Sequence, residues 1–152
     1  MKKILFPILL TGIALAGFFI QTHRPMKKAA LNHIALYVTS LGKSTAFYKD
    51  IIGLDTISEP FRDGKHAWFS VGDNSHLHLI EGAKEQVKHP KNTHICFSVP
   101  NLDEFITRLN KAGIEYSNWP GTSKSPTVRA DGIKQIYFQD PDGYWLEIND
   151  DQ

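Results

Sequence analysis

Asn32-His33-Ile34-Ala35-Leu36-Tyr37-Val38 and Thr93-His94-Ile95-Cys96-Phe97-Ser98-Val99 repeat one pattern at an offset of 61 residues. Each segment alternates as a β-strand does. Ile34, Leu36 and Val38 point one way, as do Ile95, Phe97 and Val99, while His33, Ala35, Tyr37 and His94, Cys96, Ser98 point the other. One face of each predicted strand is therefore aliphatic, and its reverse begins with a histidine. Internal repetition of this kind signals one supersecondary unit used twice.

A helix is predicted after each strand. In the second copy Asn101 is placed to cap with Glu104 three residues on, Leu102, Phe105, Ile106 and Leu109 recur at helical spacing, and Gly113 closes the C-terminus. In the first copy Ser40 caps, Phe47 and Ile51 form the apolar stripe four residues apart, and Gly53 ends the helix. Strands then return at an offset of 69 residues: His66-Ala67-Trp68-Phe69-Ser70-Val71 lies against Gln135-Ile136-Tyr137-Phe138-Gln139-Asp140. The match runs on, so that Leu77-His78-Leu79 meets Leu146-Glu147-Ile148, and Asp73-Asn74 and Asp142-Gly143 are turn dipeptides between strands. The expected class is α+β, with module one over residues 31–82 and module two over 93–150. A polar connector, Gly82 to Asn92, separates them.

The repeat sets His33 against His94 and His78 against Glu147, all four of them metal-ligand types. Parity puts each on the face opposite its aliphatic neighbours, so that all four line the concave side if the aliphatic faces pack on helices. A histidine on an internal strand is ordinarily a hydrogen-bonded core residue. Four ligand types at repeat-equivalent positions favour a metal instead. A buried carboxylate beside imidazoles needs positive charge, and no Lys or Arg lies in the four strand cores; a divalent cation supplies it. Cys96 is the only cysteine, which rules out an internal disulfide and cysteine-based zinc clusters. It reads as a small buried filler.

At 152 residues, 41% hydrophobic and 22% charged, the chain is sized and composed for one globular domain. Residues 1–30 hold five of the seventeen Lys and Arg and none of the sixteen Asp and Glu, so the remainder carries a net charge of −4. With no basic run beyond residue 30, nucleic acid is excluded as a partner. Met1-Lys2-Lys3 ahead of the apolar run Ile4–Ile20 marks residues 1–22 as a signal peptide or an N-terminal membrane anchor, with 23–30 as linker. The expected location is outside the cytoplasm, periplasmic or anchored in the inner membrane facing the periplasm.

The two copies resemble the βαβββ modules of the vicinal oxygen chelate superfamily, which includes glyoxalase I, fosfomycin-resistance proteins, extradiol dioxygenases and bleomycin-resistance proteins. The resemblance runs from Leu31 to Asp150. Its carriers are Asn32-His33-Ile34-Ala35-Leu36, Ser44-Thr45-Ala46-Phe47-Tyr48 with Gly53-Leu54, His94-Ile95, and Asp140-Pro141-Asp142-Gly143-Tyr144-Trp145-Leu146-Glu147. It implies a curved mixed sheet around a metal site, with His33, His78, His94 and Glu147 as ligands of a divalent zinc, nickel, iron(II) or manganese ion. Four protein ligands are similar to the glyoxalase I arrangement, implying a metal-dependent lyase or isomerase acting on a small molecule with vicinal oxygens. In that reading Glu147 is the catalytic base and His78 the second candidate. Tyr37 stands where bacterial glyoxalase I has an arginine for a glutathione carboxylate. The alternatives are an extradiol-type dioxygenase, for which two histidines and one carboxylate suffice, and a non-catalytic binder of a small ligand or metal. Further substrate candidates are Trp68, repeat partner of Tyr137 on the cavity wall, and Arg129, which ends a loop rich in turn-formers and is placed to meet an anion. The modules can pair within one chain or be exchanged in a homodimer.

Overall fold

The computed structural model describes residues 28–72 and 74–151. The proposed signal or anchor at 1–22 lies outside them, as does most of the linker. Among the described residues no helix is long and apolar enough to cross a membrane. From Leu31 onward the chain is one compact unit.

Each module is strand, helix and three strands, which makes the fold α+β. Module one holds β1 (His33–Val38), α1 (Leu41–Ala46) continuing as a π-helical turn over Phe47–Ile52, β2 (Thr56–Ile57), β3 (His66–Val71) and β4 (Ser75–Glu81). Module two holds β5 (His94–Ser98), α2 (Leu102–Ala112), β6 (Thr127–Val128), β7 (Lys134–Gln139) and β8 (Trp145–Asn149). The result is two four-stranded mixed sheets of the same topology, β1-β4-β3-β2 and β5-β8-β7-β6. In each, the first strand runs parallel to the last, and the others are antiparallel. The register repeats as well. His33 lies opposite His76 and Ala35 opposite His78, as His94 lies opposite Trp145 and Cys96 opposite Glu147.

The helices begin and end where the caps require. The Asn101 side chain accepts from the Glu104 N–H, and Gly113 takes the left-handed conformation that closes α2. Ser40 and Gly53 do the same at the ends of the first helix. Its interior departs from the expected four-residue stripe. The π-helical turn widens the spacing, so Phe47, Tyr48 and Ile52 are buried and Ile51 is only half-buried. Phe47 packs 6.3 Å from Phe138 of module two, and Tyr48 packs 6.1 Å from Phe69 of module one. The helix thereby joins the aliphatic faces of both sheets into one core that includes Leu36, Leu79, Phe97, Ile136 and Leu146. Each such side chain contributes roughly 1.5–3 kcal/mol of apolar burial. Both aliphatic faces contribute to that shared core, and the histidines stand on the reverse face of their own sheets.

Candidate metal centre

On module one, the alternation of β1, β3 and β4 brings His33, His78 and Trp68 to the polar face. The His33 and His78 rings stack at 4.4 Å with planes 9° apart. Trp68, the cross-strand partner of His78, stacks on it at 3.8 Å and 3°. Because β4 runs between β1 and β3, the His78 ring is held between two flat neighbours. His33 Nδ1 is fixed by the Asn32 side-chain oxygen at 2.8 Å, which turns Nε2 outward. The Nε2 of His78 is buried and has no hydrogen-bond partner. Burial first, then the neighbouring His33, His76 and His66, hold His78 below the ordinary imidazole range, so it is a neutral donor of a lone pair.

On module two, His94 Nδ1 donates to the Lys91 carbonyl at 2.8 Å, which fixes the tautomer and leaves a lone pair on Nε2. That nitrogen faces Glu147 Oε2 at 3.2 Å. A lone pair and a carboxylate oxygen repel at this separation unless a proton or a metal ion lies between them. The carboxylate itself is tightly held. Oε2 accepts from the Tyr137 hydroxyl at 2.5 Å, and Oε1 accepts from Asn149 Nδ2 at 3.2 Å and the Cys96 thiol at 3.3 Å. Gln135 Nε2 donates in turn to Tyr137. Burial and the Glu147 carboxylate raise Tyr137 well above the usual phenol value. Desolvation and the same carboxylate push the Cys96 thiol up to about 12, so it stays protonated. Cys96 is exposed, which corrects its reading as a buried filler.

The four expected ligands thus occur as two pairs, His33 with His78 and His94 with Glu147. Among the described residues no three His, Cys, Asp or Glu gather around one point. The pairs occupy equivalent positions, each backed by an aromatic residue on the adjacent strand: Trp68 behind His78 and Tyr137 behind Glu147. Trp68 therefore supports a histidine as well as lining the cavity. Tyr37 is exposed on the same face as His33, and its backbone N–H and carbonyl both meet the Tyr144 hydroxyl at 3.2 Å. Arg129 is engaged by Asp131 through Nε and Nη2, with Asp151 at 3.8 Å.

Several residues at the site were not singled out by the sequence. Gln135 and Asn149 share the parity of Tyr137 and Glu147, and His66 shares that of Trp68, so alternation alone could have found them; the parity of His76 with His78 is legible in the sequence, which otherwise reads His76 as a surface or turn histidine. Phe61 had no such signal, because it lies in a loop. It lines a cavity of about 550 Å³ together with His33, His66, Trp68, His76 and His78.

The sequence model of the Glyoxalase/Bleomycin resistance protein/Dioxygenase superfamily matches residues 30–148. Metallothiol transferase FosB of Shouchella clausii (strain KSM-K16) is 34% identical over 123 residues, 78% of each chain. Fosfomycin resistance protein FosX of Listeria monocytogenes serovar 1/2a is 27% identical over 127 residues, 80% of this chain and 89% of that one. A crystal structure of a mutant Listeria monocytogenes FosX, complexed with Mn(II) and 1S,2S-dihydroxypropylphosphonic acid, matches with a TM-score of 0.65 at 26% identity, over 83% of this chain and 93% of that one. With the repeated topology and the repeated register already in place, these matches make the chain a member of the Glyoxalase/Bleomycin resistance protein/Dioxygenase superfamily.

Proposed function

We propose that this protein is a metal-dependent enzyme of glyoxalase type, a lyase or isomerase acting on a small substrate with two adjacent oxygens. We further propose that its centre is completed between two copies, with His33 and His78 of one meeting His94 and Glu147 of the partner subunit. One observation carries this reading: two half-sites repeat the same register, one holding a buried His78 nitrogen without a partner and the other a His94 nitrogen against a Glu147 oxygen at 3.2 Å. Three imidazoles and a carboxylate fit zinc, nickel, iron(II) or manganese. The FosX relative supports the same choice, since its complex holds Mn(II) and a molecule with two neighbouring hydroxyls.

A divalent ion, when bound, supplies Lewis-acid polarisation of adjacent substrate oxygens. The chain's own residues do the rest. The Asn32 side chain and the Lys91 carbonyl set the tautomers of His33 and His94, and Trp68 fixes the plane of His78. Glu147 takes the proton from the substrate carbon, with Tyr137 and Asn149 holding its two oxygens in place. The apolar run flanked by Lys2 and Lys3 makes export the reading for location, in the periplasm or anchored beside it.

Elemental analysis of the purified full chain tests the site. About one divalent ion per chain is expected, and none in a variant with His33, His78, His94 and Glu147 all substituted. Equal metal in both would end the proposal. Glu147→Gln should retain metal while turnover of hemithioacetal test substrates falls by about two orders of magnitude or more.

A further inference from the structure

The wall beside His33 and His78 is built for a flat, uncharged surface. Phe61 is 60% exposed, an unfavourable state for a phenyl ring, and yet the loop holding it is rigidly specified. The Glu59 carboxylate accepts from the Phe61 and Arg62 N–H groups at 2.6 and 2.7 Å, and Arg62 adopts a φ of 51°, rare outside glycine. Asp63 then binds both the Lys65 N–H and His66 Nδ1 at 2.9 Å. These bonds place the Phe61 ring 4.6 Å from His66 and edge-on to Trp68 at 6.1 Å, so three rings form one corner of the cavity.

Charge is absent from the lining. Among the described residues that form this wall none is Lys, Arg, Asp or Glu; Arg62 and Lys65 share the loop but do not line the cavity. The loop beside it carries charges of both signs, Glu59 and Asp63 with Arg62 and Lys65. On the other half-site two cations are held in place. Lys91 donates to Ser117, Asn118 and Trp119 beneath the Tyr137 and Trp145 rings, and Arg129 is paired with Asp131. Arg129 is thereby neutralised, whereas Lys91 meets only neutral acceptors.

We infer that the substrate carries an aromatic ring next to its vicinal oxygens, the ring lodging in the corner formed by Phe61, His66 and Trp68. This rests on the proposed function, and it adds a specificity residue, Phe61. The test compares three probes binding to the full chain by calorimetry: 1-phenylethane-1,2-diol, propane-1,2-diol and 1,2-dihydroxypropylphosphonate. The phenyl diol should bind on the order of tenfold or more tightly than either of the others. In Phe61→Ala that advantage should shrink by a similar factor, with propanediol unaffected. A phosphonate that binds as well as the phenyl diol, or an unchanged phenyl preference in Phe61→Ala, overturns the inference. Metal content of the same samples separates the two readings. A ring preference without metal upholds this inference and removes the metal enzyme; metal without a ring preference does the opposite.

Discussion

His78 shows how much one side chain's environment decides. It is 9% exposed, lies between two aromatic planes, and has a buried nitrogen without a partner. Its imidazole is held below the ordinary range by burial first and by the surrounding histidines second. A histidine of depressed folded pKa binds its proton more readily in the unfolded chain. Stability is therefore intact above the unfolded value, about 6.5, and is lost as pH falls from there toward the folded value. In chelator-treated protein, the thermal midpoint should fall between about pH 7 and pH 5, and more steeply than in His78→Phe, which keeps the stack and removes the proton. Parallel curves for the two would show that His78 is not the group responsible. Glu147 is the counterpart, a carboxylate whose hydrogen-bonding donors are a phenol, an amide and a thiol rather than a cation.

At the scale of elements, the turn between β7 and β8 fastens module two onto module one. Asp142 is 2% exposed, and it accepts from the Thr39 N–H at 2.7 Å, the Thr39 hydroxyl at 2.8 Å and the Ser44 hydroxyl at 2.5 Å. Asp140 accepts from the Tyr48 hydroxyl at 2.8 Å. Two buried carboxylates from one turn thus anchor the first helix, the element that joins the two aliphatic faces. Asp142→Asn turns one acceptor into a donor facing donors, at a cost of about 2–4 kcal/mol and a fall in Tm on the order of 10 °C. Calorimetric melting of the variant checks this, and Ser44→Ala in the Asp142→Asn background should add little, since both changes remove the same contact.

At the scale of the molecule, the two half-sites lie on separate sheets that share one core. In the proposed arrangement a second copy closes the four-ligand centre, since among the described residues one chain gathers no three such groups. Subunit mixing reads this directly. One variant carries His33→Ala and His78→Ala, the other His94→Ala and Glu147→Gln, and neither alone should retain metal. After co-refolding at equal amounts, half the dimers are mixed and each of these regains one of two sites, so about a quarter of the wild-type metal should return. No recovery, with dimers confirmed by sedimentation, would place the metal elsewhere.

Alternation and repetition determined a good deal without coordinates: the α+β class, the three long strands of each module, the caps at Asn101 and Ser40, the polar faces, and the repeat equivalence of His33 with His94 and of His78 with Glu147; the two-residue strands Thr56–Ile57 and Thr127–Val128 were not among them. These features depend on residues two, four or about sixty positions apart on a regular backbone, and such spacing is written in the chain. Tertiary structure alone decided the rest. The π-helical turn that buries Ile52 over Ile51, the Glu59 loop that holds Phe61 in water, and the division of the four ligand types into two pairs all belong to the folded chain. No local period records them, because packing two sheets against one helix satisfies surfaces rather than sequence spacings.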